Sequence, residues 1–168
     1  YKGLTEPLLL KHQTPDFTTV IIRPATVCGY SPRQRLDVIV NILTNHAYNK
    51  KVIKVLGGGQ LRPNLHIEDM VDLYLLMLRE AKEKIAGKIY NAGYHNHSVT
   101  DIAKMVKNVI GDDVKIETAA TDDNRSYHIS SEKIAKELGF KAKRSIEDAV
   151  KDLRTAFEQG KLPNSMED

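Results

Sequence analysis

The sequence predicts an α/β or α+β fold, on three observations. Segments with apolar residues at helical spacing alternate with short β-branched runs. The run 17–23 is apolar on both faces, the pattern of a parallel strand covered from both sides. Hydrophobic residues make up 41% and charged residues 28% of the chain, enough apolar material for a core and too much for disorder. Its 168 residues suit one domain or a domain and a half.

Taken in order, residues 2–13 carry leucines at helical spacing, with Pro7 expected to kink the helix or mark its boundary. The strand 17–23 ends at Pro24, and 25–33, with Gly29, Ser31 and Pro32, reads as a loop. Over 35–48 the stripe Leu36, Ile39, Val40, Leu43 and Ala47 predicts a helix. Residues 52–56 form a short strand, followed by a turn of three glycines at 57–59. The strongest helix covers 68–84, with acids in its first turn and lysines in its last, as the helix dipole favours. Its nearly continuous apolar residues from Met70 to Leu78 leave little polar face, so it is expected to be well buried. Residues 88–92 and 114–117 read as strands. Ser98 and Ser145 each head a capping-box pattern, and the helices they open should stop near Gly111 and Gly160. A short helix over 131–138 closes at Gly139, and the polar tail from Lys161 is expected to be loose. No internal repeat stands out.

Several function classes drop out. The net charge of +3 is small, and basic residues alternate with acidic ones along the predicted helix faces, so no nucleic-acid partner is expected. The densest apolar run, 73–78, is too short to span a membrane, and the first residues show no signal-peptide pattern. The single cysteine, Cys28, excludes an intrachain disulfide and fits a reducing compartment.

No glycine-rich turn joins a strand to a helix, so the sequence holds no dinucleotide fingerprint; the glycines at 57–59 are followed by Gln60-Leu61-Arg62-Pro63, which does not open a helix. His66 precedes acids at a helix start, where a packing role fits better than a catalytic one. His95 and His97 flank Asn96 in a turn-like stretch, and two histidines alone make a weak metal site, so no metal is expected. Cys28 reads as a small buried hydrophobe. Arg62 and Arg125 lie in loop-like segments beside Gly, Pro, Asn or Asp. Two roles fit them: solvated or salt-bridged side chains, or guanidinium forks converging on a phosphate or diphosphate.

Five blocks, in one order, resemble the extended short-chain dehydrogenase/reductases that act on nucleotide sugars. Lys2 and Glu6 fit that family's Tyr-x-x-x-Lys with an acid four positions on, Tyr1 not being that tyrosine. Arg23-Pro24-Ala25-Thr26-Val27-Cys28-Gly29 looks like Arg-x-x-x-Val-Tyr-Gly, with Cys28 in place of the usual Tyr. The segment 31–41 is similar to a sub-group whose following helix lines the nucleotide-sugar pocket, and Asp37 and Asn41 are expected to share a helix face. The most specific block, 58–69, resembles Gly-x-Gln-x-Arg-Asp-x-x-His-Val-x-Asp, with Pro63 replacing the usual Asp. The last joins Tyr90-Asn91-Ala92-Gly93 to Asp123-Asn124-Arg125-Ser126-Tyr127 and then to 133–140.

The resemblance implies the C-terminal part of a Rossmann-type NAD(P)-binding fold plus a smaller α+β substrate-binding lobe. Residues 1–29 and 66–93 would belong to the first, and 30–65 and 94–168 to the second. It also implies NAD or NADP as cofactor, a nucleotide-diphosphate sugar as ligand, a cytoplasmic homodimer, and catalysis by hydride transfer with Tyr and Lys assistance. The catalytic tyrosine would lie three residues before Lys2, outside this sequence. Lys2 would hold the nicotinamide ribose and lower the pKa of that tyrosine; the backbone at Pro24 would border the nicotinamide. Thr26, Arg35, Asn41, Arg62 and Arg125 would bind the substrate, the last two at its diphosphate. Without the N-terminal half the chain is expected to be inactive. The alternative is a non-catalytic nucleotide-sugar binding module.

Overall fold

The computed structural model describes residues 2–122 and 125–167. Tyr1 of the first block and Asp123 and Asn124 of the last lie outside the described residues. Helix α1 (Lys2–Lys11) runs unbroken through Pro7, which is near enough to its start that only the backbone bond to Gly3 is lost. Strand β1 (Val20–Pro24) begins later than its pattern implies, because Phe17 is 54% exposed and closes a turn with Thr14 instead. It pairs in parallel with β5 (Lys88–Ala92), Ile21 opposite Ile89. The parallel expectation therefore holds, although only Ile21 of β1 is fully buried.

The segment 25–33 is not all loop. Strand β2 (Thr26–Cys28) pairs in parallel with β4 (Leu61–His66), and β4 pairs antiparallel with β6 (Asn96–Ser98). Neither β4 nor β6 was legible in the sequence. Pro63 cannot donate to a ladder and Asn64 is a poor strand former, so β4 looks like a turn until its two neighbours are in place.

Helix α2 (Ile39–Lys50) starts at Ile39 rather than Arg35. Asp37 precedes its N-cap Val38 and so shares no helix face with Asn41; its carboxylate pairs with Arg35 instead. Strand β3 (Val52–Leu56) runs parallel to β7 (Lys115–Ala119). The strongest predicted helix is two pieces, α3 (Ile67–Arg79) and the short α4 (Lys82–Ile85), and α3 is not buried all round. Met70, Leu73 and Met77 face the core, while Val71, Tyr74, Leu75 and Leu78 are exposed. Ser98 caps α5 (Val99–Ile110) by accepting from the Asp101 amide. Helix α6 (Glu132–Leu138) ends at Gly139 with φ of 69°, where glycine adopts the left-handed conformation freely. Helix α7 (Ile146–Glu158) carries the full capping box of Ser145 and Asp148.

Two cores result. One lies among α2, α5, α7 and β3, around Leu43, Ile53, Ile102 and Val150. The other joins α3, β4, β5 and α6 through Leu65, Leu73, Tyr90 and Ile134. The tail after α7 is tethered rather than loose: Asn45 Nδ2 donates to the Ser165 carbonyl at 2.6 Å, and the Lys161 ammonium stands 5.7 Å from the Tyr30 ring centre.

Candidate functional site

A cavity of about 680 Å³ opens where β1 ends, bounded by the start of α1, the 24–41 segment, one face of α3 and the stretch around Tyr127. Its position follows from topology: parallel strands leave a crevice beyond their carboxyl ends, where the following loops diverge. Lys2, Pro24, Thr26, Arg35 and Asn41, separated by up to 39 positions in sequence, all line this one wall.

Arg62 and Arg125 do not line the cavity; they adjoin each other beside Tyr127 through a side-chain-to-backbone contact. Arg62 Nη1 donates to the backbone carbonyl of Arg125, and its guanidinium lies 5.6 Å from the centre of the Tyr127 ring. That ring lines the cavity, and its hydroxyl is 3.4 Å from Thr26 Oγ1. Tyr127 thus connects the arginine pair to the wall that carries Lys2 and Thr26. Arg62 projects from strand β4, not from a loop as its neighbours in sequence implied, and its backbone is paired with His97 of β6. Arg125 is in a loop, as expected.

The segment 29–35 is held by two side-chain amides. Asn41 Oδ1 accepts from the Gly29 amide at 3.0 Å, and its Nδ2 donates to the Arg35 carbonyl at 2.8 Å. Gln34 Oε1 accepts from the Ser31 amide at 3.0 Å while Nε2 donates to the same Arg35 carbonyl. Asn41 therefore reaches the cavity wall chiefly as the clamp of this loop. Gly29 has φ of 105°, a conformation that disfavours any side chain, and a Cβ there would also be tight, 3.3 Å from Ile67 Cγ2 and 3.4 Å from the His66 imidazole. Arg35 is oriented in turn by a two-point contact with Asp37, Nε to Oδ1 at 3.0 Å and Nη2 to Oδ2 at 2.6 Å, which holds the Asp37 carboxyl below its ordinary range.

Other polar residues build the frame. Glu6 and Arg23 make a similar fork, Arg23 Nε to Glu6 Oε1 at 2.8 Å, which ties α1 to β1 and lowers the Glu6 carboxyl pKa. Asp69 is almost wholly buried and accepts from the Lys143 amide at 3.0 Å, the Arg144 amide at 2.9 Å and Arg144 Nη1 at 2.7 Å. This latches the approach to α7 onto α3, the helix that supplies Ile67, Met70 and Tyr74 to the cavity. His66 caps α3, its Nδ1 accepting from the Glu68 amide at 3.1 Å. Its Nε2 stands 3.2 Å from Asp152 Oδ2 without hydrogen-bond alignment. The packing role holds. Cys28 is buried, and desolvation, with the nearby Asp69 charge, pushes its thiol up to about 12. It is a hydrophobe here, not a nucleophile. His95 and His97 have ring centres 5.9 Å apart, and His97 lies in β6 rather than in a turn. Among the described residues no group of three His, Cys, Asp or Glu side chains converges as a metal site would. Arg33, Tyr74 and Tyr127 escaped the sequence reading as wall residues. Arg33, within the 31–41 block, and Tyr127, at the end of the Asp-x-Arg-x-Tyr block, left a trace in the sequence; Tyr74 left none.

The model of the NAD dependent epimerase/dehydratase family matches residues 6–93. This chain belongs to that family. Among relatives of this family member, dTDP-glucose 4,6-dehydratase of Shigella flexneri is 25% identical over 135 residues, covering 73% of this chain and 37% of the relative. UDP-glucose 4-epimerase 2 of Arabidopsis thaliana is 30% identical over 104 residues, covering 60% of this chain and 30% of the relative. The chain therefore spans about a third of the length of the curated relatives it matches. The structure of RMD from Pseudomonas aeruginosa complexed with NADPH superposes with a TM-score of 0.79 at 17% identity, over 95% of this chain and 55% of that one. This likeness establishes the shared α/β fold, in which the parallel pair β1–β5 takes its place.

Proposed function

We propose that this family member is part of an NAD(P)-dependent nucleotide-sugar epimerase or dehydratase, and that the cavity at the end of β1 receives the sugar. The observation that carries the reading is the convergence of Lys2, Pro24, Thr26, Arg35 and Asn41 on one wall, with Arg62 and Arg125 adjoining beside Tyr127. The Arg62 guanidinium stands against the Arg125 backbone, and a pair of guanidinium groups converging there would suit a diphosphate with forked donors. Gripping the diphosphate outside the cavity would position the sugar inside it, so that remote binding energy is used to orient the reacting carbon.

The donor set also fits a nicotinamide cofactor. Lys2 offers an ammonium group and the 24–29 segment offers backbone at the strand ends, where dinucleotides bind in open parallel sheets. Bound NAD or NADP supplies the hydride acceptor and donor. Lys2 would hold the ribose, and its positive charge would favour the ionised form of a neighbouring tyrosine. Pro24 would border the nicotinamide. In this reading residues 1–29 and 66–93 are the dinucleotide-binding part and the remainder the substrate lobe; the two cores follow this division only in part, since Leu65, Ile134 and Phe140 pack with the first part and Cys28 with the second.

The reading includes a cytoplasmic homodimer. The free, buried Cys28 suits a reducing compartment, and the exposed Leu4 and Leu8 of α1 are the apolar surface that supports self-association. No described helix is long and apolar enough to cross a membrane. Turnover belongs to the longer protein that the relatives represent, and the 168-residue chain alone should bind nucleotide diphosphates without catalysis. Calorimetric titration of the chain with UDP, dTDP, GDP and CDP tests the reading. Saturable binding of at least one, weakened by Arg62→Gln, is expected; no binding of any would overturn it.

A further inference from the structure

The 29–35 segment is held on its cavity side by Asn41 and Gln34. On its other side it meets the C-terminal tail. Gly29 and Ser31 line the cavity, but Tyr30 between them does not. The Tyr30 side chain lines a second cleft, of about 220 Å³, together with Glu68, Asp152 and Lys161. Lys161 reaches that cleft from the end of α7, where its amide donates to the Ala156 carbonyl at 2.9 Å and so fixes its backbone to the helix. Its ammonium then stands 5.7 Å from the centre of the Tyr30 ring. An ammonium facing an aromatic ring, in a cleft that also holds two carboxylates, is attracted by both.

The far end of the tail is fixed to α2. Asn45 lies one turn after Asn41 and is 4% exposed, and its Nδ2 donates to the Ser165 carbonyl at 2.6 Å. Its Oδ1 accepts from Asn49 Nδ2 at 2.8 Å. A buried amide donor is costly to leave unpaired, and this one takes its acceptor from a residue 120 positions away. The tail is therefore seated by a buried group and not only by surface contacts. Helix α2 thus holds the loop through Asn41 and the tail through Asn45, while the tail meets the loop again through Lys161 and Tyr30.

We infer that residues 161–165 brace the cavity wall, and that Tyr30 and Lys161 are positioning residues. They face away from the cavity and act by keeping Gly29 and Ser31 in place. That the wall so held receives a sugar rests on the proposed nucleotide-sugar reading; the brace itself does not.

Amide hydrogen exchange followed by NMR on the full chain tests it, since exchange reads local opening apart from global unfolding. Lys161 is exposed, so its replacement leaves both cores intact. Lys161→Gln is expected to speed exchange at the Gly29 and Ser31 amides about two- to fivefold, the effect of one exposed cation–π contact, and to leave a core amide such as Val106 unchanged. Lys161→Arg and Tyr30→Phe, which keep the cation and the ring, should keep the wild-type rates, and Tyr30→Leu should not. Asn45→Asp sets a carboxylate against the Ser165 carbonyl and should speed the same two amides. Loop rates unchanged in Lys161→Gln, or an acceleration shared by Val106, would overturn the brace; unchanged rates in Asn45→Asp would overturn the part given to the far end of the tail. In the wild type, saturating UDP-glucose or dTDP-glucose should slow the Gly29 and Ser31 amides, because a ligand seated on the closed loop opposes its opening. Binding without that protection would refute the positioning role. Failure of both sugar nucleotides to bind would remove the nucleotide-sugar reading, while the rates in the unliganded variants would still decide the brace.

Discussion

Removing the Asp69 carboxylate should be among the most damaging single changes in this protein. The carboxylate is buried, with 2% of its side chain exposed, and accepts three hydrogen bonds from the segment that leads into α7. In Asp69→Ala two backbone N–H groups and one guanidinium N–H lose their acceptor at once. Removing a buried carboxylate that accepts several charge-assisted hydrogen bonds costs about 3–5 kcal/mol, chiefly through the two backbone donors left without it, since the part-exposed Arg144 guanidinium keeps Asp72. For a chain of this size each kcal/mol lowers the melting temperature by roughly 2–4 °C, so the fall should be about 6–20 °C. Arg144→Ala should cost clearly less, about 1–3 kcal/mol, because it removes the side-chain contacts to Asp69 and Asp72 but leaves both backbone donors bonded to Asp69. Thermal and urea unfolding followed by circular dichroism measure both. An Asp69→Ala variant within 1 kcal/mol of the wild type, or an Arg144→Ala variant equally destabilised, would show that the latch does not work as described. Since α3 also supplies Ile67, Met70 and Tyr74 to the cavity, the Asp69 variant should bind nucleotide diphosphates more weakly as well.

Other expectations are simpler to state. Arg62→Gln should raise the dissociation constant for the preferred nucleotide diphosphate about tenfold, as loss of a charge-assisted contact does, and an unchanged titration curve would place the diphosphate elsewhere. Asn41→Ala should cost about 1–3 kcal/mol in urea unfolding, since Gly29 N–H and the Arg35 carbonyl lose a buried partner; a neutral result would mean that Gln34 alone holds the loop. Arg23 lowers the Glu6 pKa below its usual 4.5, so the pair's contribution to stability is fully present above that value and is lost as pH falls through the lower folded-state pKa. A carbon-detected NMR titration should find Glu6 titrating below 4.5 in the wild type and moving up in Arg23→Ala; a wild-type midpoint at or above 4.5 would contradict the pairing. Cys28, with its thiol pushed up to about 12, should resist iodoacetamide at pH 8 in the native state and react once urea unfolds the chain. Rapid native labelling would mean that the site opens.

Much of the frame was present in local sequence. The cap residues Ser98, Gly139 and Ser145, and the strands at β3 and β5, follow from short-range rules, because a cap or an alternating run acts through neighbours within a turn. The resemblance blocks likewise marked Lys2, Pro24, Thr26, Arg35, Asn41, Arg62 and Arg125 without showing how they meet. What local rules could not supply were features made by distant partners. Strand β4 exists because β2 and β6 flank it, despite Pro63. Helix α2 begins at Ile39 because Asn41 and Gln34 tie the preceding residues to Gly29, Ser31 and Arg35. The exposed side of α3 shows the same limit: apolar periodicity says that a face is suited to burial, while only the packed chain decides what covers it. Residue types and helix ends were written in the sequence, since they depend on neighbours a few positions away. The cavity, the arginine pair and the Asp69 latch came from tertiary structure, since each requires groups more than 30 positions apart to stand within a few ångströms.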